Sequence, residues 1–105
     1  MDAQLRKGLL EFCVLADLRE QESYGYQIIK DVSDYIEISE STLYPILRRL
    51  ESAEYVTSRT VPHNNRLRKY FQITEKGRRH LEEFAANQTQ MIRVLQFIAG
   101  GMNDE

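Results

Sequence analysis

The sequence predicts an α+β fold that is mainly helical and carries one small β-hairpin. Apolar residues recur every three or four positions over most of the chain, which is the period of an amphipathic helix. Two stretches rich in β-branched and aromatic residues flank a turn-forming Asn-Asn pair, and the last quarter carries a heptad pattern. With 105 residues, the chain has the length of one typical domain.

The first helix is predicted over residues 4–19, where apolar residues surround nearly the whole helix axis. Such a helix must be covered on more than one side, and a domain of this size covers only one. We therefore expect Leu5, Leu9 and Phe12 to meet a second subunit.

The second helix is predicted from Tyr24 to about Tyr35, with Ser23 as a candidate cap. Gly25 near its start is expected to allow the close approach of another helix or of a phosphate. For Tyr24 and Tyr26 two interpretations stay open: the rings pack against the protein, or their hydroxyls contact a phosphate.

A third helix is predicted to follow Ser39, whose hydroxyl is expected to accept a first-turn amide, with Ser41 as the alternative cap. One side of this helix is apolar, and its apolar positions are Leu43, Ile46, Leu47 and Leu50. The other side offers hydroxyls, a phenol and two guanidiniums, a surface that the major groove of DNA accepts. The alternative is an ordinary surface helix with solvated arginines. Pro45 inside the helix predicts either a bend or a contact made by its ring.

Residues 55–61 and 66–73 are predicted to pair as a β-hairpin through a turn at residues 62–65. The basic residues at its tip are Arg66, Arg68 and Lys69. Two helices followed by a basic hairpin predict a winged helix-turn-helix, in which the wing holds phosphate or probes the minor groove.

The last helix is predicted to start after the cap Thr74 and to end at Gly100-Gly101. Its inward positions follow heptad spacing and are Leu81, Phe84, Gln88, Met91, Leu95 and Ile98, with Ile92 beside them. Only its first part can rest on its own domain, so we expect the remainder to pair with a partner chain. The predicted organisation is a DNA-binding domain over residues 1–73, a dimerisation helix over 74–100 and a frayed tail over 101–105.

Positive charge is concentrated in one segment, although the whole chain carries a net charge of −2. Residues 42–80 hold nine basic and three acidic residues, an excess of +6 that leaves −8 for the rest. Because phosphate binding needs a local basic face rather than a basic total, double-stranded DNA is the expected partner. A winged helix that binds protein instead of DNA is the alternative.

Other classes of protein lack support in the sequence. No apolar run reaches the length of a membrane span, and the first residues lack the apolar core of a signal peptide. The lone Cys13 excludes an internal disulfide and a cysteine zinc site, which fits a cytoplasmic protein. His63 and His80 have no nucleophile at a catalytic spacing. We therefore expect no enzyme, no cofactor and no metal site.

The pattern resembles the PadR family of bacterial transcription regulators. The matching segments are residues 9–18, 23–26, 28–30, 41–51, 68–71 and 73–77. The most specific of them is Thr42-Leu43-Tyr44-Pro45 with the Arg pair that follows. The resemblance implies a homodimer in which the C-terminal helix embraces the partner's N-terminal helix. It also implies repression of nearby genes through palindromic DNA, often released by a small molecule, and the length is similar to the short subgroup with a single C-terminal helix.

Two departures from the family pattern concern the wing and the dimer. Asn64-Asn65 stand at the tip where many members have glycines. Gln88 stands where short members that bind flat drugs between subunits place a tryptophan. Phe12, Gln88 and Met91 are the candidates for an effector pocket.

The predicted DNA-binding surface combines the second helix, the third helix and the wing. Its hydroxyl-bearing residues are expected to face base edges or phosphates, and its basic residues to hold phosphate. The full set is Tyr24, Tyr26, Lys30, Ser39, Ser41, Thr42, Tyr44, Pro45, Arg48, Arg49, Arg66, Arg68 and Lys69.

Overall fold

The computed structural model describes residues 1–100. The elements, in chain order, are α1 (Ala3–Asp17), β1 (Ser23–Tyr24), α2 (Gly25–Val32), α3 (Glu40–Ser52), β2 (Val56–His63), β3 (Arg66–Ile73), α4 (Glu75–Asn87) and α5 (Thr89–Ala99). The strands form one antiparallel sheet in the order β1-β3-β2. The predicted α+β class is confirmed, and the predicted tail over residues 101–105 lies outside the described residues.

The core forms where the apolar sides of α1, α2 and α3 meet each other and one face of the sheet. All four predicted apolar positions of α3 are buried, and so are Val14 and Leu15 of α1. Each large side chain removed from water in this way contributes about 1.5–3 kcal/mol. The core therefore fixes which side of α3 remains exposed.

The second helix begins later and ends earlier than the sequence predicted. Ser23 and Tyr24 form β1 and pair with Phe71 and Tyr70 of β3, so that Ser23 is a strand residue and no helix cap. The helix starts at Gly25, because the backbone of Tyr24 is extended to meet β3. This third strand was missed, since a two-residue pairing is decided by tertiary contact rather than by local pattern.

The hairpin is confirmed, with every residue of β2 from Val56 to His63 opposite a residue of β3. Asn64 and Asn65 at its tip both have left-handed backbone, with φ of 50° and 65°. Asparagine tolerates this conformation better than most residues. The Asn-Asn pair thus forms the tight turn that closes the wing.

Two features of the α4 start hold this helix against the turn that precedes β2. The hydroxyl of Thr74 accepts the amide of Gly77 at 2.9 Å, as predicted for a cap, and donates to the carbonyl of Glu54 at 2.7 Å. A Cβ at Gly77 would overlap the carbonyl oxygen of Tyr55 and lie 2.9 Å from its carbonyl carbon. Only glycine allows this approach of helix and backbone.

The C-terminal helix is two helices and not the single helix predicted. Gln88 ends α4 and precedes α5, with φ of −93° and ψ of −3°. No glycine or proline stands at this position, so the heptad pattern continues through a break that it does not reveal. Gly100, with φ of 79°, ends α5 as predicted, whereas Gly101 lies outside the described residues. Within residues 1–100, no helix has both the length and the apolar character needed to cross a bilayer.

Candidate nucleic-acid interface

The side of α3 that faces away from the core is exposed along its length. The residues on this side are Ser41, Thr42, Tyr44, Pro45 and Arg48. The helix continues through Pro45, although this residue removes one amide donor. The side of α3 that was predicted to face the major groove of DNA is therefore accessible to a partner.

Three hydroxyls gather at the start of α3. Ser39 occupies the predicted cap position, but its hydroxyl accepts no backbone amide. Instead it lies 3.1 Å from the hydroxyl of Ser41 and 3.2 Å from that of Thr42. The expected amide cap was wrong, and the first-turn amides carry no side-chain cap. A helix start of this kind presents donors and a partial positive charge to an anion.

Tyr44 and Gly25 join α2 to the exposed side of α3. A Cβ at Gly25 would overlap the hydroxyl of Tyr44 and lie 2.9 Å from its Cζ. Of the two neighbours expected at this glycine, the structure shows another helix, which approaches through the side chain of Tyr44. The ring of Tyr26 is 63% exposed on the same edge, so Tyr26 remains free to meet a partner. Lys30 is exposed further along α2.

Arg48 and Arg49 differ in their surroundings, although they are adjacent in the sequence and were predicted to have the same role. Arg49 forms an ion pair with Glu11 of α1. Arg48 has no carboxylate partner in the described part of the chain. The guanidinium of Arg48 is therefore the one available to an external anion.

The wing contacts α3 through a lysine. Lys69 Nζ lies 3.7 Å from Glu51 Oε1, and Glu51 Oε2 accepts the hydroxyl of Ser58 at 2.7 Å. Side chains alternate along a strand, so Lys69 shares the α3-facing side of β3 with the buried Phe71. Arg66 is exposed and pairs with no carboxylate among residues 1–100.

Arg68 lies on an aromatic support formed by two strands. Its guanidinium carbon is 3.8 Å from the ring centroid of Tyr24, a cation–π geometry. Its Nη1 is 3.4 Å from the hydroxyl of Tyr70. The rings of Tyr24 and Tyr70 meet edge to face at 5.5 Å. Tyr24 thus packs against the protein, while Arg68 is half-buried and lines a cleft beside the wing.

These residues line one cleft of about 600 Å³ between the helix-turn-helix and the wing. Its walls carry three phenols and three cationic side chains. The lining residues are Tyr24, Gly25, Tyr26, Tyr44, His63, Asn64, Arg66, Leu67, Arg68, Lys69 and Phe71. The cleft brings together the tyrosines and wing cations that the sequence predicted as separate groups, and adds His63 and Leu67.

The residues predicted for a dimer interface fall into two groups. Leu81 is 5% exposed and belongs to the core of its own domain, so it has little surface left for a partner. The ring of Phe12 stacks on Phe84 with centroids 3.8 Å apart and on His80 at 5.0 Å. All predicted residues other than Leu81 remain exposed or half-buried, and they are Leu5, Leu9, Phe12, Phe84, Gln88, Met91, Ile92, Leu95 and Ile98. Of the predicted effector residues, Phe12 on α1 stacks on Phe84 of α4, Gln88 is the residue at the α4–α5 break, and Met91 lies on α5.

A carboxyl pair that the sequence did not suggest lies where α1 and α2 end. Asp17 Oδ2 is shielded from solvent and has no hydrogen-bond partner in the described chain. Burial, followed by the neighbouring Asp31 carboxyl, raises the pKa of Asp17 from 3.8 to about 7. Burial also raises the pKa of Cys13, which lines the same cavity of about 480 Å³. The Asp17 carboxyl, which lies at the contact between α1 and α2, therefore changes its charge near neutral pH.

The fold and the site define the class of this protein, a winged helix-turn-helix protein with a cationic cleft beside its third helix. The sequence model of the transcriptional regulator PadR-like family matches residues 14–83. The chain belongs to this family, whose members are transcription regulators and not enzymes.

Solved structures of similar proteins agree in fold over nearly the whole chain. A PadR family transcriptional regulator from Eggerthella lenta is 35% identical, with 93% of this chain and 88% of its own covered and a TM-score of 0.81. A PadR-like transcriptional regulator from Bacillus cereus is 28% identical, with 94% and 99% covered and a TM-score of 0.82. The PadR of Bacillus subtilis in complex with operator DNA shares the fold at 24% identity and a TM-score of 0.69, over 73% of this chain and 46% of its own.

Proposed function

We propose that the chain represses transcription by binding a palindromic operator as a homodimer. The observation that carries this proposal is the cleft, because Tyr44 on the exposed side of α3 and the cations of the wing line it together. Arg48 and Arg66 have no internal carboxylate among residues 1–100, and Arg68 is held on Tyr24. Unpaired guanidiniums at fixed positions are suited to phosphates.

In this proposal α3 enters the major groove with its first turn leading. Ser41 and Thr42 reach base edges, and Arg48 binds a phosphate on the groove wall. The wing follows the neighbouring backbone, where Arg66 and Arg68 bind phosphates. The Bacillus subtilis PadR, which shares this fold, is bound to operator DNA in its structure.

The homodimer in this proposal is supported by the exposed apolar surface of α5. No residue of α5 is buried, and the exposed large side chains include Met91, Ile92, Leu95 and Ile98. Exposed Leu5 on α1 provides apolar surface for the partner's α5. Binding of a palindromic operator by two copies related by a two-fold axis would require their α3 helices to lie about 34 Å apart, one turn of duplex.

Repression, release by a small molecule and a cytoplasmic location belong to the same proposal. The half-buried pair Phe12 and Phe84 lies beside the break at Gln88. Aromatic surface beside a helix break in a dimer interface is suited to a flat apolar effector. A thermal-shift screen of aromatic and cationic compounds tests this part, since an effector that binds the folded dimer raises its melting temperature.

Selection from a random duplex pool tests the proposed DNA binding. We expect the selection to recover a palindromic sequence. Gel-shift titrations on that sequence at several salt concentrations then measure the affinity of each variant. Arg68→Ala should weaken binding to all sequences and lower the salt slope by about 0.9, whereas Thr42→Ala should reduce the preference for the selected sequence. Arg79→Ala is the matched control, because it removes an exposed cation from α4, outside the cleft and outside α5.

Retention of no duplex at low salt would contradict the proposal, since phosphate attraction is strongest there. That outcome would favour the alternative of a winged helix that binds protein. Unchanged operator affinity in both Arg68→Ala and Thr42→Ala would contradict the assigned surface.

A further inference from the structure

The outer face of the sheet carries a row of side chains that ends at Arg68. Tyr24 of β1 is paired in register with Tyr70 of β3, and Tyr70 with Arg59 of β2. Residues in register across neighbouring strands present their side chains on the same face. The strand pairing therefore places Arg59, Tyr70 and Tyr24 in one line across the sheet.

An acidic residue fixes the first member of this row. Glu22, in the loop before β1, accepts hydrogen bonds from Arg59 through both carboxylate oxygens, one of them at 3.0 Å from Nε. This bidentate contact lowers the pKa of the Glu22 carboxyl, so Glu22 is charged at neutral pH. Glu22 thus connects the start of β1 to the middle of β2.

The contact continues from Arg59 to Arg68 through the two rings. The guanidinium carbon of Arg59 lies 5.4 Å from the ring centroid of Tyr70. Tyr70 in turn meets Tyr24 and places its hydroxyl near Arg68 Nη1, and Arg68 rests on Tyr24. The row has cations at both ends of an aromatic pair, and among residues 1–100 only the Arg59 end has a carboxylate partner.

We propose that Glu22 and Arg59 are positioning residues for DNA binding, which act by fixing Tyr70 and Tyr24 as the support of Arg68. This inference rests on the proposed function and extends it to residues outside the cleft. For the loss of the Glu22 charge, this inference and simple electrostatics predict opposite changes in DNA affinity. Removing an acid from a DNA-binding protein reduces its repulsion from phosphate and should strengthen binding, whereas loss of the row should weaken it.

The experiment compares Glu22→Gln with Glu20→Gln in gel-shift titrations on the selected operator. Both variants remove one negative charge from the same loop, but only Glu22 contacts Arg59. We expect Glu22→Gln to bind about threefold to tenfold more weakly, the range of a moderate coupling between neighbouring residues. Glu20→Gln should bind as well as the parent protein or slightly more tightly.

A double-mutant cycle separates positioning from general loss of structure. In the Arg68→Ala background, Glu22→Gln should no longer weaken operator binding and should act like Glu20→Gln. In NMR spectra, the side-chain protons of Arg68 should show the ring-current shift of Tyr24 in the parent and in Glu20→Gln, and lose it in Glu22→Gln. Arg59→Gln should reproduce the affinity and NMR changes of Glu22→Gln.

Two results would overturn the inference while the parent still binds its operator. One is tighter or unchanged binding by Glu22→Gln and Arg59→Gln, and the other is an equal effect of Glu22→Gln with and without Arg68. A parent protein that binds no duplex would instead contradict the proposed function, and the NMR comparison would still test whether Glu22 fixes Arg68.

Discussion

The winged domain and α5 differ in how their apolar side chains are covered. In the winged domain, α1, α2 and α3 bury a shared core, and residues such as Val14, Leu15 and Leu43 are fully enclosed. In α5, no residue is buried, and Phe97 and Ile98 are 77% and 71% exposed. Exposed apolar surface of this extent is unfavourable in water. The comparison teaches that the first region is packed within one chain, whereas α5 leaves its apolar side chains uncovered by the described residues 1–100.

The largest effect is expected inside the winged domain, at the contact between α4 and the turn before β2. Gly77→Ala should destabilise the protein by about 3 kcal/mol, because the new Cβ meets backbone that cannot rotate away. Gly8→Ala is the matched control, since nothing lies within 4 Å of a Cβ there, and it should stabilise α1 by about 0.5–1 kcal/mol. Urea denaturation measures both changes. Equal stability of the two variants would show that the α4 contact is less rigid than described.

A similar effect, but on association, is expected in α5. Leu95→Glu should separate the proposed dimer, because it removes about 1.5–3 kcal/mol of apolar burial from each chain and adds a charge. The dissociation constant should rise by about a hundredfold or more, as measured by analytical ultracentrifugation. Gln96→Glu is the control, because it adds the same charge at the neighbouring position without removing an apolar side chain. A parent protein that is monomeric at micromolar concentration would contradict the proposed pairing of α5.

A smaller effect is expected from the carboxyl at the end of α1. Since the pKa of Asp17 is raised from 3.8 to about 7 in the folded chain, the folded state binds more protons than the unfolded state between these values. The free energy of unfolding should therefore fall as pH rises from about 4 to about 7, and stay low above it. Because Asp17 is partly exposed, we expect a loss of only about 1–2 kcal/mol.

Asp17→Asn should remove this pH dependence and stabilise the protein at pH 8 relative to the parent. Urea denaturation at pH 5 and pH 8 measures the difference. Asp34→Asn changes an exposed carboxyl just beyond α2 and should leave the pH dependence intact. The assignment fails if Asp17→Asn and Asp34→Asn have the same pH dependence as the parent.

The smallest effect distinguishes two neighbouring residues of α3. Arg48→Ala should weaken operator binding about fivefold, because its guanidinium has no internal carboxylate among residues 1–100. Arg49→Ala should weaken it less, because Arg49 is paired with Glu11. Gel-shift titrations at one salt concentration compare the two. An equal loss in both variants would mean that the Arg49–Glu11 pair opens when DNA binds.

The sequence predicts those structural features that are determined by residues close together in the chain. The apolar side of α3, the cap at Thr74 and the Asn64-Asn65 turn each follow from residues within a few positions of one another. The pairing of β1, the partner of Arg49 and the row through Arg59 depend on residues far apart in the chain. The break at Gln88 was hidden because an uninterrupted heptad pattern predicts a single helix.

The contact between Gly25 and Tyr44 constrains how this protein could be redirected to other operators. The phenol occupies the space that a side chain at position 25 would need, so a substitution there would have to displace the ring of Tyr44 from its place beside α2. Libraries that vary Ser41, Thr42 and Arg48 leave this joint intact and should yield folded proteins with new base preferences. Libraries that vary Tyr44 also change the side chain that fills the space beside Gly25, so that each new contact with a base would come with a changed contact between α2 and α3.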